Sequence, residues 1–544
     1  MVKKYTLYFL LAFICMILIT SSVFASRVNF GSGAVGAFIE SVLDLTEENS
    51  HNFERHTITI DVIGQGEVIK IPNLQNYPHK KLIKLQAVPV AGWKFSHWEG
   101  DIQENNNPAS FLITENLKVT AVFTQQEYSL SITSTGGFVT INPEKESYHY
   151  GDEVTLTATA EPGWVFDHWG VAIIGEKNPA SLTIYGDTSV TVFFRPNFIA
   201  IDAGRDYSLA LGEDGTVWAW GNNFHGQLGD GSNIYRSNPV NVSNLNNVVP
   251  IATSGYHSFA IKNDGTVWAW GHNYYRQLGD GTNIDRSTPV NVSNLNNVVA
   301  VAGGWSHSLV LKEDGTVWAW GYNRYGQLGD GTDINMSTPV NAINLNNVAA
   351  IAAGSYHSLA VKEDGTVWAW GHNDSGQLGD GTGRSKSTPV KVSNLNDVVA
   401  IAGGWSHSLA LKDDGTVWAW GYNRYGQLGD GTNITSTTPV NAINLNNVAA
   451  IAAGVYHSLA LKEDGTVWAW GYNDSGQLGD GTSIAKQTPV QISNLNNVVA
   501  IAAGGHHSLA LKEDGTVWAW GYIGQRGTVI IRPTPERVSN FNVE

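Results

Sequence analysis

Cysteine is nearly absent from this chain of 544 residues; Cys15 is the only one. That excludes an intramolecular disulfide, a thiolate metal set and, outside position 15, a thiol nucleophile. Positive charge is also scarce. Lys and Arg total 32 against 48 Asp and Glu, a formal net charge of −16. A nucleic-acid surface needs a basic patch, so a nucleic-acid partner is not expected. Like charge instead suits an exported, soluble protein. Long apolar runs are limited to one, Leu7 to Ile19. It is shorter than the roughly 20 residues of a bilayer span. Lys3 and Lys4 precede it, and Val23-Phe24-Ala25 offers a small-residue cleavage site. Residues 1–25 therefore read as a signal peptide, with a mature start near Ser26 and no stable membrane span after cleavage. The open alternative is retention of the leader as an anchor. The expected location is secreted or cell-surface.

Tryptophan and repetition are what the chain has. Trp-Ala-Trp-Gly starts at Trp218, Trp268, Trp318, Trp368, Trp418, Trp468 and Trp518, a period of 50 residues. A fixed period of that size marks one supersecondary unit repeated in space. Within 348–397, Val348–Ala353, His357–Lys362, Thr366–Gly371 and Thr388–Val392 read as four short strands. Asp364-Gly365 reads as a two-residue hairpin turn. Pro389 opens the last strand, where a missing N–H is tolerated. Four antiparallel strands per unit make a propeller blade. Side chains alternate across a strand, so Trp368 and Trp370 share one face and are expected to bury against small residues of the next blade. The expected fold is all-β, a seven-bladed propeller over 198–544. The first unit lacks a preceding Pro-Val strand and the last has none following, so a C-terminal strand completing the N-terminal blade is expected to close the ring.

A second duplication precedes it. Gly92-Trp93-Lys94-Phe95-Ser96-His97-Trp98 matches Gly163-Trp164-Val165-Phe166-Asp167-His168-Trp169 at an offset of 71, and Asn107-Pro108-Ala109-Ser110 matches Asn178-Pro179-Ala180-Ser181. Two small all-β domains are expected, at 57–125 and 126–195, after a spacer at 26–56. Their clustered aromatics read as small hydrophobic cores.

The repeat His-Ser-Leu-Ala-Leu-Lys-x-Asp-Gly-Thr-Val-Trp-Ala-Trp-Gly, followed by Gly-Gln-Leu-Gly-Asp-Gly-Thr and Thr-Pro-Val, resembles that of the regulator of chromosome condensation family. The resemblance implies a seven-bladed propeller. Founding members exchange nucleotide on a small nuclear GTPase; the export signal and acidic balance oppose that role here, leaving exchange as a distant alternative. A plant ultraviolet-B photoreceptor of this fold carries Gly-Trp-Arg-His motifs. Gly304-Trp305-Ser306-His307 and Gly404-Trp405-Ser406-His407 resemble them with Ser in place of Arg, which speaks against light sensing. The segment 57–195 resembles bacterial extracellular domains related to internalin-type B repeats, which implies a spacer or adhesion module.

No catalytic, cofactor or metal site is expected. The Gly379-Asp380-Gly381-Thr382 loop lacks calcium-loop spacing and reads as turn chemistry. His257, His307, His357, His407, His457 and His507 recur with the blades and read as bonded to neighbouring loop backbone. Variation between repeats concentrates in loops. One carries Tyr256, Trp305, Tyr356, Trp405, Tyr456 and His506. Read as equivalent positions, they place five aromatics on one rim, the candidate partner-binding surface. The expectation is a non-enzymatic secreted or cell-surface protein, its propeller binding an unknown protein partner on a β-domain stalk. The alternative is an extracellular glycan-binding protein or glycan-active enzyme.

Overall fold

A computed structural model describes residues 54–522 and 530–538. The leader, most of the spacer and the segments 523–529 and 539–544 lie outside the described residues, as does the expected cleavage site. The chain divides into two compact units. The described part of the first runs to Leu130 and adds Lys145–Glu153 and Thr183–Thr188. The second holds Ser131–Glu144, Val154–Leu182 and Ser189 onward.

In the first unit, one sheet pairs Ile58–Ile63 with Leu117–Gln125 and that strand with Trp93–Gly100. A second joins Gly66–Ile71, Lys81–Pro89 and Ala109–Ile113. Period-2 strands put Ile83, Leu85 and Ala87 on one buried face, with Trp98 and Phe123 in the same core. The Trp98 indole donates to the Asn106 carbonyl at 2.9 Å. Asn107 accepts from the Ala87 N–H at 2.9 Å and donates to its carbonyl at 2.7 Å. Asn178 brackets Ala158 in the same way, at 2.9 and 2.8 Å. The duplicated Asn-Pro-Ala-Ser motif is thus a side-chain patch on a strand backbone, and the clustered aromatics form the core.

The second unit contains seven successive four-stranded antiparallel sheets. Blade 1 covers Phe198–Asn241, blade 2 Val248–Asn291, blade 3 Val298–Asn341, blade 4 Val348–Lys391, blade 5 Val398–Asn441, blade 6 Val448–Gln491 and blade 7 Val498–Arg537. The expected strand exchange does not occur. The last strand, Ile531–Arg537, pairs with Val517–Tyr522 of its own blade, and Phe198–Ala203 pairs with Tyr207–Gly212. Among the described residues, each blade takes four consecutive strands of the chain. Closure comes from side-chain packing of blade 7 on blade 1: Leu509, Leu511 and Ala519 share a core with Ala210, Trp218 and Trp220.

The hairpin around Gly365 is also longer than expected. The Gly365 N–H donates to the Lys362 carbonyl and the Lys362 N–H to the Thr366 carbonyl, both at 2.9 Å. That is a three-residue loop with Gly365 left-handed at φ 74°. Asp364 locks it by accepting from the Thr366 N–H and hydroxyl.

The two tryptophans of each repeat are not equivalent. Trp270, Trp320, Trp370, Trp420, Trp470 and Trp520 are fully buried, each packed on Leu, Val and Ala of the preceding blade. The facing surface is therefore larger than the small-residue face expected. Their partners at 268, 318, 368, 418, 468 and 518 are half-buried. At five of these six a lysine ammonium lies over the ring, as Lys362 does over Trp368 at 4.9 Å. Trp218 is the exception at 2 % exposed, because Trp164 packs edge-on against it at 6.2 Å. Arg195 donates to the Asp514 carbonyl at 2.8 Å, and Asp167 pairs with both Arg195 and Arg537.

Candidate functional site

Two layers of each blade matter for function: the buried seam between blades and the loops at the mouth of the central funnel. In the seam, the His307 Nε2 lies 3.0 Å from the Ser358 hydroxyl of the next blade. Ser358 donates its single proton to the Gln327 carbonyl at 2.8 Å. His307 must therefore donate from Nε2, which leaves Nδ1 unprotonated. The Trp370 indole donates to the same Gln327 carbonyl at 2.8 Å. The recurring histidines thus bond a serine hydroxyl of the next blade and not the loop backbone expected. The pattern repeats at His257, His357, His407, His457 and His507, the last reaching Ser208 across the closing seam at 3.0 Å. Between blades 1 and 2, Tyr207 takes the histidine's place: its hydroxyl donates to the His257 carbonyl at 2.5 Å and lies 2.9 Å from the Ser258 hydroxyl, which donates to the Gln227 carbonyl at 2.8 Å. Burial holds His307, His357, His407 and His457 down at about 3 and His507 at about 4. These imidazoles are neutral; five of the six are fully enclosed, and His507 borders a small pocket with Asp206, Tyr235 and Tyr522. Gly304 is required here, since a Cβ on it would lie 2.2 Å from His307 Cε1.

The Gly-Asp-Gly loops are turn chemistry, as expected. Asp380 accepts from the Thr382 N–H, the Thr382 hydroxyl and the Asn373 amide. All three bonds fall on Oδ1, and the Lys386 ammonium stands 3.7 Å from Oδ2.

The mouth is different. The first strands of all seven blades line a cavity of about 320 Å³. The expected surface residues Tyr256, Trp305, Tyr356, Trp405 and Tyr456 do gather at one end of it. Ring centroids are 5.1 Å apart for Tyr256–Trp305, 4.7 Å for Trp305–Trp405, 5.9 Å for Tyr356–Trp405 and 6.2 Å for Trp405–Tyr456. They are half-buried against one another and not loose on a solvated rim.

They are not equivalent positions, however. Trp305 and Trp405 stand two residues before the repeat histidine; Tyr256, Tyr356, Tyr456 and His506 stand one before it. The one-residue step divides their surroundings. The tryptophans line the funnel and meet across it. Tyr356 packs on Tyr322 and Tyr325, Tyr456 on Tyr422 and Tyr425, and Tyr256 on His225 and His272. Burial, then Tyr322, pushes Tyr356 up to about 12. His506 is half-buried and lowered by burial, beside Asp206 and Arg205.

Sequence reasoning missed two contributors. Arg205 occupies the Trp305 position in blade 1. Its guanidinium lies 4.7 Å from the Trp305 ring and 5.3 Å from Tyr256, and it donates to the Tyr256 hydroxyl. Burial raises the neighbouring Asp206, and the Arg205 charge opposes this. The second contributor is the position after each Trp-Ala-Trp-Gly, which holds Asn222 in blade 1 and then His272, Tyr322, His372, Tyr422, Tyr472 and Tyr522. That recurrence was visible in the repeat.

Residues 151–396 and 342–542 match the RCC1-like domain family, so the chain belongs to it. Residues 56–127 match the divergent InlB B-repeat domain. No curated protein sequence matches the chain. Among solved structures, Prp20p of Saccharomyces cerevisiae, described with its binding to Gsp1p and histones, is 28 % identical, with TM-score 0.53 over 58 % of this chain and 84 % of its own. Yeast RCC1 (Prp20) bound to Kap60 is 26 % identical, with TM-score 0.55 over 62 % and 84 %. Human WBSCR16 is 25 % identical, with TM-score 0.53 over 63 % and 92 %.

Proposed function

We propose that the protein is a non-enzymatic, extracytoplasmic interaction protein whose propeller mouth binds a protein partner. The observation that carries this reading is the joined ring set of Tyr256, Trp305, Tyr356, Trp405 and Tyr456 with Arg205 above it. Aromatic and arginine side chains are enriched in protein interfaces, and a few such anchors carry most of the affinity. The seam histidines, the other repeated polar residues, are neutral and, His507 apart, fully enclosed, which favours a binding role over catalysis. The leader-like residues 1–25 and the B-repeat match over 56–127 support the extracytoplasmic setting. Propellers similar to this one bind proteins, as Prp20p binds Gsp1p.

The test is capture by the full chain from an envelope fraction, compared with the double variant Trp305→Ala, Trp405→Ala. Loss of the captured protein with the cooperative thermal transition retained is expected. Equal capture by a folded double variant places the surface elsewhere. A second reading, glycan binding, rests on the 560 Å³ cavity lined by Phe224, Tyr235, Tyr256 and Tyr522 beside Asn222 and Asn233. A glycan array with Phe224→Ala as control decides it.

A further inference from the structure

Two clusters of nitrogen and carboxylate ligands occur among the described residues: His225, His272 and Asp285, and Glu54, His56 and His79. The first is already committed to hydrogen bonds. The Tyr275 N–H donates to Gln277 Oε1 at 2.9 Å, which fixes that amide. Its nitrogen then donates to His272 Nδ1 at 2.8 Å. The neutral His272 ring therefore carries its proton on Nε2, the atom that would have to bind an ion. His225 Nδ1 is paired with Asp285 at 2.8 Å.

The second cluster is differently placed. It lies in the first compact unit, where Arg55–His56 pairs antiparallel with Tyr77–Pro78. The His79 N–H closes the ladder by donating to the Glu54 carbonyl at 2.9 Å. Tyr77 anchors that ladder in the core at 0 % exposure. Two segments 23 residues apart are thus held in register before any ligand arrives. His56 Nε2 and His79 Nδ1 point at one another, 3.0 Å apart. Two imidazole nitrogens on a tetrahedral zinc ion stand about 3.3 Å apart, from zinc–nitrogen distances near 2 Å. A zinc ion can therefore take the place of the single shared proton when the nitrogens part by a few tenths of an ångström and the rings turn so that both lone pairs meet the ion, by about 35° each for tetrahedral geometry. Glu54 Oε2 is 3.8 Å from His79 Nδ1 on a largely exposed side chain, free to swing in as a third ligand. His56 is buried and its partners border solvent, so the fourth position is open to water.

We propose that Glu54, His56 and His79 form a site for one zinc ion, clamping the start of the first β-domain. Two histidines and one carboxylate with an open position suit a borderline divalent ion better than calcium or magnesium, which take oxygen ligands.

The test uses the full chain, stripped with a chelator and titrated with zinc alone. Wild type is expected to bind one equivalent, and His79→Ala to weaken that binding at least tenfold. Glu54→Gln is expected to weaken it less. His225→Ala is expected to bind as wild type. Melting of chelated His79→Ala should match chelated wild type; where it does not, His79→Gln supplies the comparison. Equal zinc affinity in wild type and the folded His79 variant overturns the proposal. Loss of the equivalent in His225→Ala overturns it as well.

Discussion

The seams and the mouth of the same ring follow opposite rules. In the five seams from blade 2 to blade 7, one set of four residues recurs unchanged: histidine, serine, glutamine and tryptophan, each fully buried. At the mouth, the corresponding loops hold Arg205, Gly255, Trp305, Ser355, Trp405, Val455 and Gly505 at a single repeat position. Burial accounts for the contrast. A seam residue has both a packing partner and a hydrogen-bond partner on the next blade, so a change there leaves a cavity or an unmet polar group. A mouth residue borders the funnel, where substitution changes what is presented and not how the blades stack.

Acid should break the seams first and hardest. The seam histidines are held near 3 to 4 by burial, below the 6.5 of an open imidazole. The unfolded chain therefore takes up protons that the folded chain refuses between those values. Stability is complete above pH 6.5 and falls as pH drops toward 3. By pH 5 each such histidine costs roughly 2 kcal/mol. The melting temperature is expected to fall steeply from pH 7 to pH 5, before the carboxylates titrate. A flat profile over that range would show that the rings can charge in place.

Next in size is the contrast inside one Trp-Ala-Trp. Trp370→Ala empties a site between Leu309, Ala319 and Leu328 and should cost about 3–5 kcal/mol. Trp368→Ala removes a half-buried ring covered by Lys362 and should cost markedly less. Chemical denaturation of the two variants measures the gap; equal losses would erase the distinction between them.

Ser358→Ala leaves the His307 Nε2–H without its acceptor in a buried site, with an expected cost of about 1–3 kcal/mol. Smallest of all, Trp305→Ala with Trp405→Ala should shift the melting temperature little, because the rings border the funnel, while abolishing partner capture. Cooperative loss of the whole ring in that variant would move these residues from the mouth to the core.

The blades themselves were legible in the sequence because their strands are local. The turn at Glu363-Asp364-Gly365 and the Trp-Ala-Trp alternation lie within a few residues of each other. The His307–Ser358 bond spans 51 residues and two sheets, and no periodicity within a blade encodes which face meets which. Ring closure was misread for a related reason. The missing Pro-Val strand before Phe198 is equally consistent with an exchanged strand and with a chain that begins in phase. Only the pairing of Trp518 with Arg537 decides between them. The step between Trp305 and Tyr356 was present in the sequence, since aligning the repeats on His-Ser reveals it. Arg205 was not, because its meaning depends on Trp305 of blade 3 lying above the funnel beside it.

Seven is an odd number, and over blades 3 to 6 the mouth pattern has a period of two repeats. The blades at 301–350 and 401–450 differ at only seven positions, and tryptophan returns in alternate blades. An alternating pattern cannot run round an odd ring and meet itself in step. Tryptophan fails to return in the closing blades, where Gly505 stands in blade 7 and Arg205 in blade 1. The ring thereby acquires an azimuth. A partner docked on the mouth as proposed would find one distinguishable bearing among seven, and therefore one pose in place of a rotationally averaged set.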